Sequence, residues 1–179
     1  MFSTTTFTKD GRALLIREAE GKDAGVLLKY LDRISRETDF LTFGPEEFSL
    51  TENEEFKFLE RHQTRDNCIY LLATIDEAIV GNLIFTAGSR PRIRHVGELS
   101  TSVLKEYWNI GIASALFDSF LEWAKGGNII RKINLRVRTN NQRAIGLYKR
   151  KGFVVEGMQR KELFMDRKYY DNLWMGLEI

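Results

Sequence analysis

The chain has 179 residues, 43% hydrophobic and 29% charged with a net charge of +2, the make-up of one globular domain that buries its own core. A single cysteine, Cys68, excludes an intrachain disulfide and a cysteine-built metal cluster, and His62 and His95 stand at no zinc spacing. The segment MFSTTTFTKDGR lacks the apolar region of a secretory signal, and no stretch reaches the roughly 18 apolar residues of a membrane span. A single cytoplasmic domain over residues 1–179 is expected, with no membrane and no metal.

In chain order, residues 13–17 (ALLIR) read as a first strand. A turn at Gly21 leads into a helix over about 23–36, with Val26, Leu27, Tyr30, Leu31 and Ile34 at helical spacing. Residues 39–49 are loop-like, and Thr51 to Glu54 match the capping-box pattern before a short helix carrying Phe56 and Leu59. Strands follow at 69–75 and 79–86 around an Asp76-Glu77 turn, and a third at 96–103 after the basic run Arg90 to His95. That run reads as a solvated hairpin loop rather than a nucleic-acid surface, and the small net charge agrees.

A helix over 111–125 stops at Gly126-Gly127. Then come a strand at 132–137, a helix over 142–151 closed by Gly152, and strands near 154–158 and 173–177. The order gives an α/β domain, a mixed, mostly antiparallel sheet with helices on both faces.

The stretch from Val103 to Ala113 joins a strand to an amphipathic helix whose apolar stripe includes Ile112, Leu116, Phe120 and Ala124, with Phe117 and Leu121 beside it. The first turn of a helix exposes unpaired N–H groups and the positive end of its dipole, which suits phosphate. Residues Asn109, Ile110, Gly111, Ile112, Ala113 and Ser114 include no carboxylate to compete, and Gly111, Ala113 and Ser114 are small. Taken by itself the pattern serves equally as a helix packing small residues on the sheet. Neither a G-x-G-x-x-G fingerprint nor a P-loop is present.

Further on, Asn141, Ala144 and Tyr148 fall on one helix face in the run Asn140 to Phe153, where Asn141 can cap the helix or meet a ligand. The tyrosine alone reads as core packing with its hydroxyl at an edge.

Together the two runs resemble the GNAT N-acetyltransferase family. Its acetyl-CoA signature, Gln/Arg-x-x-Gly-x-Gly/Ala, falls on Trp108, Gly111 and Ala113, with Trp108 in place of Gln or Arg and Asn109 in place of a frequent glycine. Asn tolerates positive φ. The family's Asn-x-x-Ala-x-x-Leu-Tyr-x-x-x-Gly-Phe is matched at every fixed position from Asn141 to Phe153. The tail Asp166 to Asp171 followed by Met175 is similar to the Asp-Gly-x-Tyr-x-Asp-x-x-x-Met hairpin of amine and protein acetyltransferases, with Arg167 in the glycine position.

The resemblance covers most of the chain and is nearest to the ribosomal-protein N-terminal and polyamine-type enzymes. It implies an acyl-CoA N-acyltransferase fold, acetyl-CoA as cofactor and direct transfer to a primary amine in a ternary complex, by a monomer or homodimer. It also implies a backbone N–H at Val103 for the thioester oxygen and Tyr148 as the acid for the leaving thiolate. A lysine-like amine, with a pKa of about 10.4, must give up a proton. Glu98 is the candidate base through water, or else an exposed strand carboxylate. The acidic residues Glu46, Glu47, Glu52, Glu54 and Glu55 suit a cationic amine such as a polyamine, or a solvated helix face. Two other readings are a non-catalytic acyl-CoA-binding module and a nucleic-acid binder using Arg90–Arg94 and Arg131–Arg138.

Overall fold

The two tightest reversals, Asp76-Glu77 and Asp166-Arg167, place both central residues at positive φ (48° and 67°, 50° and 61°). That is the backbone of a primed two-residue turn, whose twist matches the strands it joins. Arg167 therefore takes the left-handed conformation that glycine supplies more readily. In the computed structural model, which describes residues 1–179, these turns belong to a sheet of eight strands.

The strands are β1 (Ser3–Phe7), β2 (Ala13–Glu18), β3 (Cys68–Ile75), β4 (Ala78–Ala87), β5 (Val96–Val103), β6 (Lys132–Arg138), β7 (Val154–Met165) and β8 (Lys168–Glu178). Four helices, α1 (Ala24–Glu37), α2 (Glu52–Gln63), α3 (Ile112–Gly126) and α4 (Gln142–Arg150), complete the order. The sheet runs β1-β2-β3-β4-β5-β6-β8-β7 and is antiparallel except between β5 and β6.

Both faces are covered. Leu116, Phe117 and Phe120 of α3 and Ile145 of α4 close over Leu83, Phe85 and Ile133 on one side. On the other, Leu27, Tyr30, Leu31 and Ile34 of α1 and Leu59 of α2 pack on Tyr70 and Leu72. With helices on both sides, β3 is buried at every position, which is why its sequence is an almost unbroken apolar run rather than an alternation. Val26, expected in the apolar stripe of α1, is exposed and lies off that face.

One irregularity makes the site. The parallel pairing of β5 with β6 lasts only three residues, Val96↔Lys132 to Glu98↔Asn134. Beyond it β5 stays paired to β4 as far as Val103, and β6 stays paired to β8 as far as Arg138. The two central strands therefore splay apart, and a cleft opens in the middle of the sheet.

The structure adds to the sequence expectations at both edges. β1 was not anticipated; its alternating polar and half-buried side chains become a strand by pairing with β2. The hairpin of β7 and β8 is far longer than the segments 154–158 and 173–177, with register shifts at Val155/Gly157 and Gln159/Leu163 that break the periodicity. α3 ends one residue later than expected, with Asn128 at φ 56° just beyond it.

Candidate active site

The end of β5 presents its backbone to the cleft. Leu104 N–H donates to the Val80 carbonyl at 3.0 Å, and antiparallel pairs alternate between bonded and non-bonded. Val103, opposite Gly81, therefore turns its N–H and C=O away from β4 and into the splay. Its carbonyl accepts a 2.6 Å hydrogen bond from Trp108 Nε1; its N–H faces the gap, where β6 offers no partner.

From there the chain makes a single 3-10 turn and passes through Asn109 (φ 68°) and Gly111 (φ 100°) into α3. Two left-handed residues in three positions reverse the backbone so that the first turn of α3 looks into the cleft. Asn109 meets that demand as its amide side chain allows, and Gly111 does so without a Cβ. The N–H groups of Ile112, Ala113 and Ser114 make no hydrogen bond in the chain, since the first bond of the helix is Ala115 N–H to Gly111 O at 3.0 Å. No acidic residue occupies that turn. Three free donors at the positive end of a 15-residue helix form an anion seat.

Trp108, Asn109, Gly111, Ile112, Ala113 and Ser114 all line the cleft, whose volume is about 760 Å³. Ile110 does not: its carbonyl accepts from Lys9 N–H at 2.9 Å and its side chain packs against the core.

Two cations that sequence reasoning did not single out stand by this seat. Lys9 reaches it from the loop after β1; its Cγ would lie 3.7 Å from a Cβ added at Gly111. Arg143, on the first turn of α4, lays its guanidinium over the Trp108 ring, 3.4 Å from the centroid, a cation–π stack. Arg143 has no carboxylate partner, and burial draws its pKa below the usual value. The tryptophan that replaces Gln or Arg in the signature thus carries an arginine from elsewhere. The i, i+35 spacing of Trp108 and Arg143 gave no clue.

α4 supplies the remaining wall. Asn141 Oδ1 accepts from Ala144 N–H at 3.2 Å, so the side chain caps the helix while still bordering the cleft. Tyr148, seven residues on, is 8% exposed, its ring set against Phe117 at 5.5 Å and Phe153 at 6.0 Å. Its hydroxyl has no hydrogen-bond partner in the chain and borders the cleft. Burial pushes its pKa up to about 12, so it holds its proton at neutral pH.

The opposite half of the cleft lies under α1 and the loop after it. Glu98 is there on β5, but its carboxylate is not free: Arg136 Nε donates to it at 2.6 Å, and Arg136 Nη1 also reaches Glu162 at 3.2 Å. Arg138, two residues along β6 and so on the same face, is 6% exposed. Phe40 and Leu41 close the wall.

The acidic residues of the 46–55 segment lie outside the cleft. Glu54 completes the Thr51 capping box, and Glu47 accepts from Gly44 N–H. The basic segment 131–138 divides likewise: Arg131 ties to Asn128, while Arg136 and Arg138 face the cleft.

The chain as a whole is similar to known proteins. The family model described as acetyltransferase (GNAT) matches residues 30–153. The L-amino acid N-acetyltransferase AaaT of Escherichia coli is 34% identical over 117 residues, covering 65% of this chain and 72% of that protein. An N-alpha-acetyltransferase of Sulfurisphaera tokodaii is 26% identical over 170 residues, covering 90% and 89%. A crystal structure of a GNAT-family acetyltransferase from Streptococcus pneumoniae superimposes with a TM-score of 0.90 at 42% identity, covering 93% of this chain and 99% of that one.

Proposed function

The chain belongs to the acetyltransferase (GNAT) family and takes acetyl-CoA as its cofactor, and from that premise we propose that it transfers acetyl to the primary amine of a small acceptor, by direct attack with both substrates in the cleft. The observation that carries this reading is the splay of β5 from β6, lined on one side by free N–H donors and on the other by a charged pocket. All 179 residues serve one domain in it, since both edge hairpins belong to the same sheet.

The residues fit the cofactor's chemistry. Its pyrophosphate suits the N–H groups of Ile112, Ala113 and Ser114, with Lys9 and Arg143 as the nearby cations. When bound, acetyl-CoA supplies an electrophilic thioester carbonyl and a sulfur leaving group. Val103 N–H is a fixed donor for the charge that develops on the acetyl oxygen, and a preorganised donor costs no reorganisation as that charge appears. Tyr148 Oη holds the proton that the departing sulfur requires.

Glu98 Oε2, the oxygen not bonded to Arg136 Nε, accepts the proton from the amine nitrogen through a water. Arg136 then keeps the carboxylate aimed into the gap. Together these roles give an entering nucleophile that loses a proton at one end of the cleft and a leaving group that gains one at the other.

An amine acceptor agrees with relatives named for N-acetylation, and a small one with the relative named for L-amino acids. Thermal unfolding with and without acetyl-CoA, with ATP and NAD as controls, tests the cofactor site. Acetyl-CoA at about a hundred times its dissociation constant should add roughly 2.7 kcal/mol of stability, and the controls none. An equal shift with ATP would reduce the site to a general phosphate seat. Release of CoA in the presence of a panel of amines then tests transfer.

A further inference from the structure

Arg138 is a cation without a counter-ion. Its side chain is more than nine-tenths buried, a state that is costly for a charge unless it is paired. Yet among its nitrogens only Nη1 has a partner, the backbone carbonyl of Asp39 at 2.6 Å. Nε is buried with no hydrogen bond, and Nη2 carries none. These two nitrogens form the side-on edge of the guanidinium, the edge that takes a carboxylate through two parallel N–H···O bonds. Aromatic rings keep the group in place: its carbon lies 3.9 Å from the ring centroid of Tyr170 and 4.9 Å from that of Phe40.

The unmet polarity continues along one row of the sheet. Arg138 stands opposite Asn172 on β8, and Asn172 opposite Gln159 on β7. Asn172 Oδ1 and Gln159 Oε1 are both buried without a partner, and so is Asn134 Oδ1, which stands beside Glu98 in register. Buried polar groups are otherwise hydrogen-bonded with few exceptions. The four buried side-chain atoms left without a partner, the arginine's own Nε among them, all lie on β6, β8 and β7. Of the residues that carry them only Arg138 lines the cleft, and its guanidinium asks for an oxyanion. A polyamine would meet that cation with repulsion.

We propose that Arg138 is the carboxylate anchor of the acceptor pocket, and that the acceptor is a free amino acid whose carboxylate takes the unpaired Nε and Nη2 edge while its amine faces Glu98. This rests on reading the cleft as a transferase site. The Phe40 and Tyr170 rings and the Asp39 carbonyl roof the arginine, which suits a small zwitterion.

The test is binding, measured apart from turnover. With CoA at saturation, thermal shift and calorimetry are recorded for each standard L-amino acid and for its α-carboxamide, with spermidine and an alanine-led peptide as further probes. At least one amino acid should bind about tenfold to a hundredfold more tightly than its carboxamide, the discrimination expected of a charge-assisted pair. In Arg138→Gln that discrimination should vanish while CoA still shifts the unfolding midpoint. Arg138→Lys, which keeps the charge but not the fork, should restore part of it. If no amino acid outbinds its carboxamide in the wild-type protein, or if the preference survives in Arg138→Gln, the assignment is overturned and Arg138 only ties down the loop at Asp39. An amino acid that binds this way without releasing CoA from acetyl-CoA would leave the anchor standing and sink the transferase reading. Release of CoA with spermidine or the peptide, with no acid preference, would do the reverse.

Discussion

The two halves of the cleft are built by different means. The half we assign to the cofactor is made of backbone: three N–H groups at the start of α3, one N–H at Val103, and two residues at positive φ that aim them. The half we assign to the acceptor is made of side chains drawn from distant segments, with Arg138 bonded to Asp39 across 99 positions and Arg136 to Glu98 across 38. A site made of backbone is set by local geometry rather than by the side chains around it, and the turn into α3 forms here with Trp108 and Asn109 in it. A site made of long-range side-chain pairs can be rebuilt by a single substitution, so it is where one member of a family becomes distinct from another.

Changing one residue at a time can break or sharpen this contrast. The largest effect is expected from Tyr148→Phe, which removes the proton donor and leaves the phosphate seat untouched. Turnover should fall by roughly tenfold to several thousandfold with acetyl-CoA affinity nearly intact, and an unchanged kcat would take Tyr148 out of the mechanism. Because burial raises the tyrosine pKa to about 12, the wild-type rate should climb with the free-amine fraction from about pH 7 to about pH 10 without a descending limb from this group.

Glu98→Gln comes next, on the acceptor side. It should lower kcat/KM at neutral pH by roughly tenfold to a hundredfold, and the deficit should shrink toward pH 10 or so, where the amine loses its proton unaided. A deficit constant with pH would make Glu98 a partner for Arg136 and no more.

The smallest effect bears on the backbone half. Arg143→Ala should weaken acetyl-CoA binding about tenfold, with kcat at saturating cofactor little changed. A loss of binding altogether would mean that the seat relies on side chains after all and would erase the contrast.

The same contrast explains what the sequence discloses. β5 is legible to its end residues, Val96 and Val103, because it stands between a basic loop and the turn that leads into α3, and those neighbours mark its limits. The reversal at Asn109 and Gly111 is legible because few residues accept positive φ, and the Thr51–Glu54 box because capping is local. Arg136 and Arg138 appear in the sequence only as part of a basic segment. That one pairs with two glutamates while the other is left unpaired depends on which strands β6 meets, and register carries no local signature. Arg143 escapes notice for the same reason: its aromatic partner is on another helix approach. The strand β1 and the long arms of β7 and β8 lie at the sheet's margins, where polar residues are tolerated on both faces and alternation fades.

The bond from Trp108 Nε1 to the Val103 carbonyl, with Arg143 lying on the indole, places a chromophore between the phosphate seat and the strand end where the acetyl oxygen is expected. An indole's emission depends on the charge above its ring and on the strength of its N–H bond. A phosphate that draws Arg143 off the ring changes the first, and an acetyl group settling at Val103 changes the second. Occupancy of the cleft should therefore change the intrinsic fluorescence of the protein, against a background set by Trp123 and Trp174, and titration with CoA should follow it without a label.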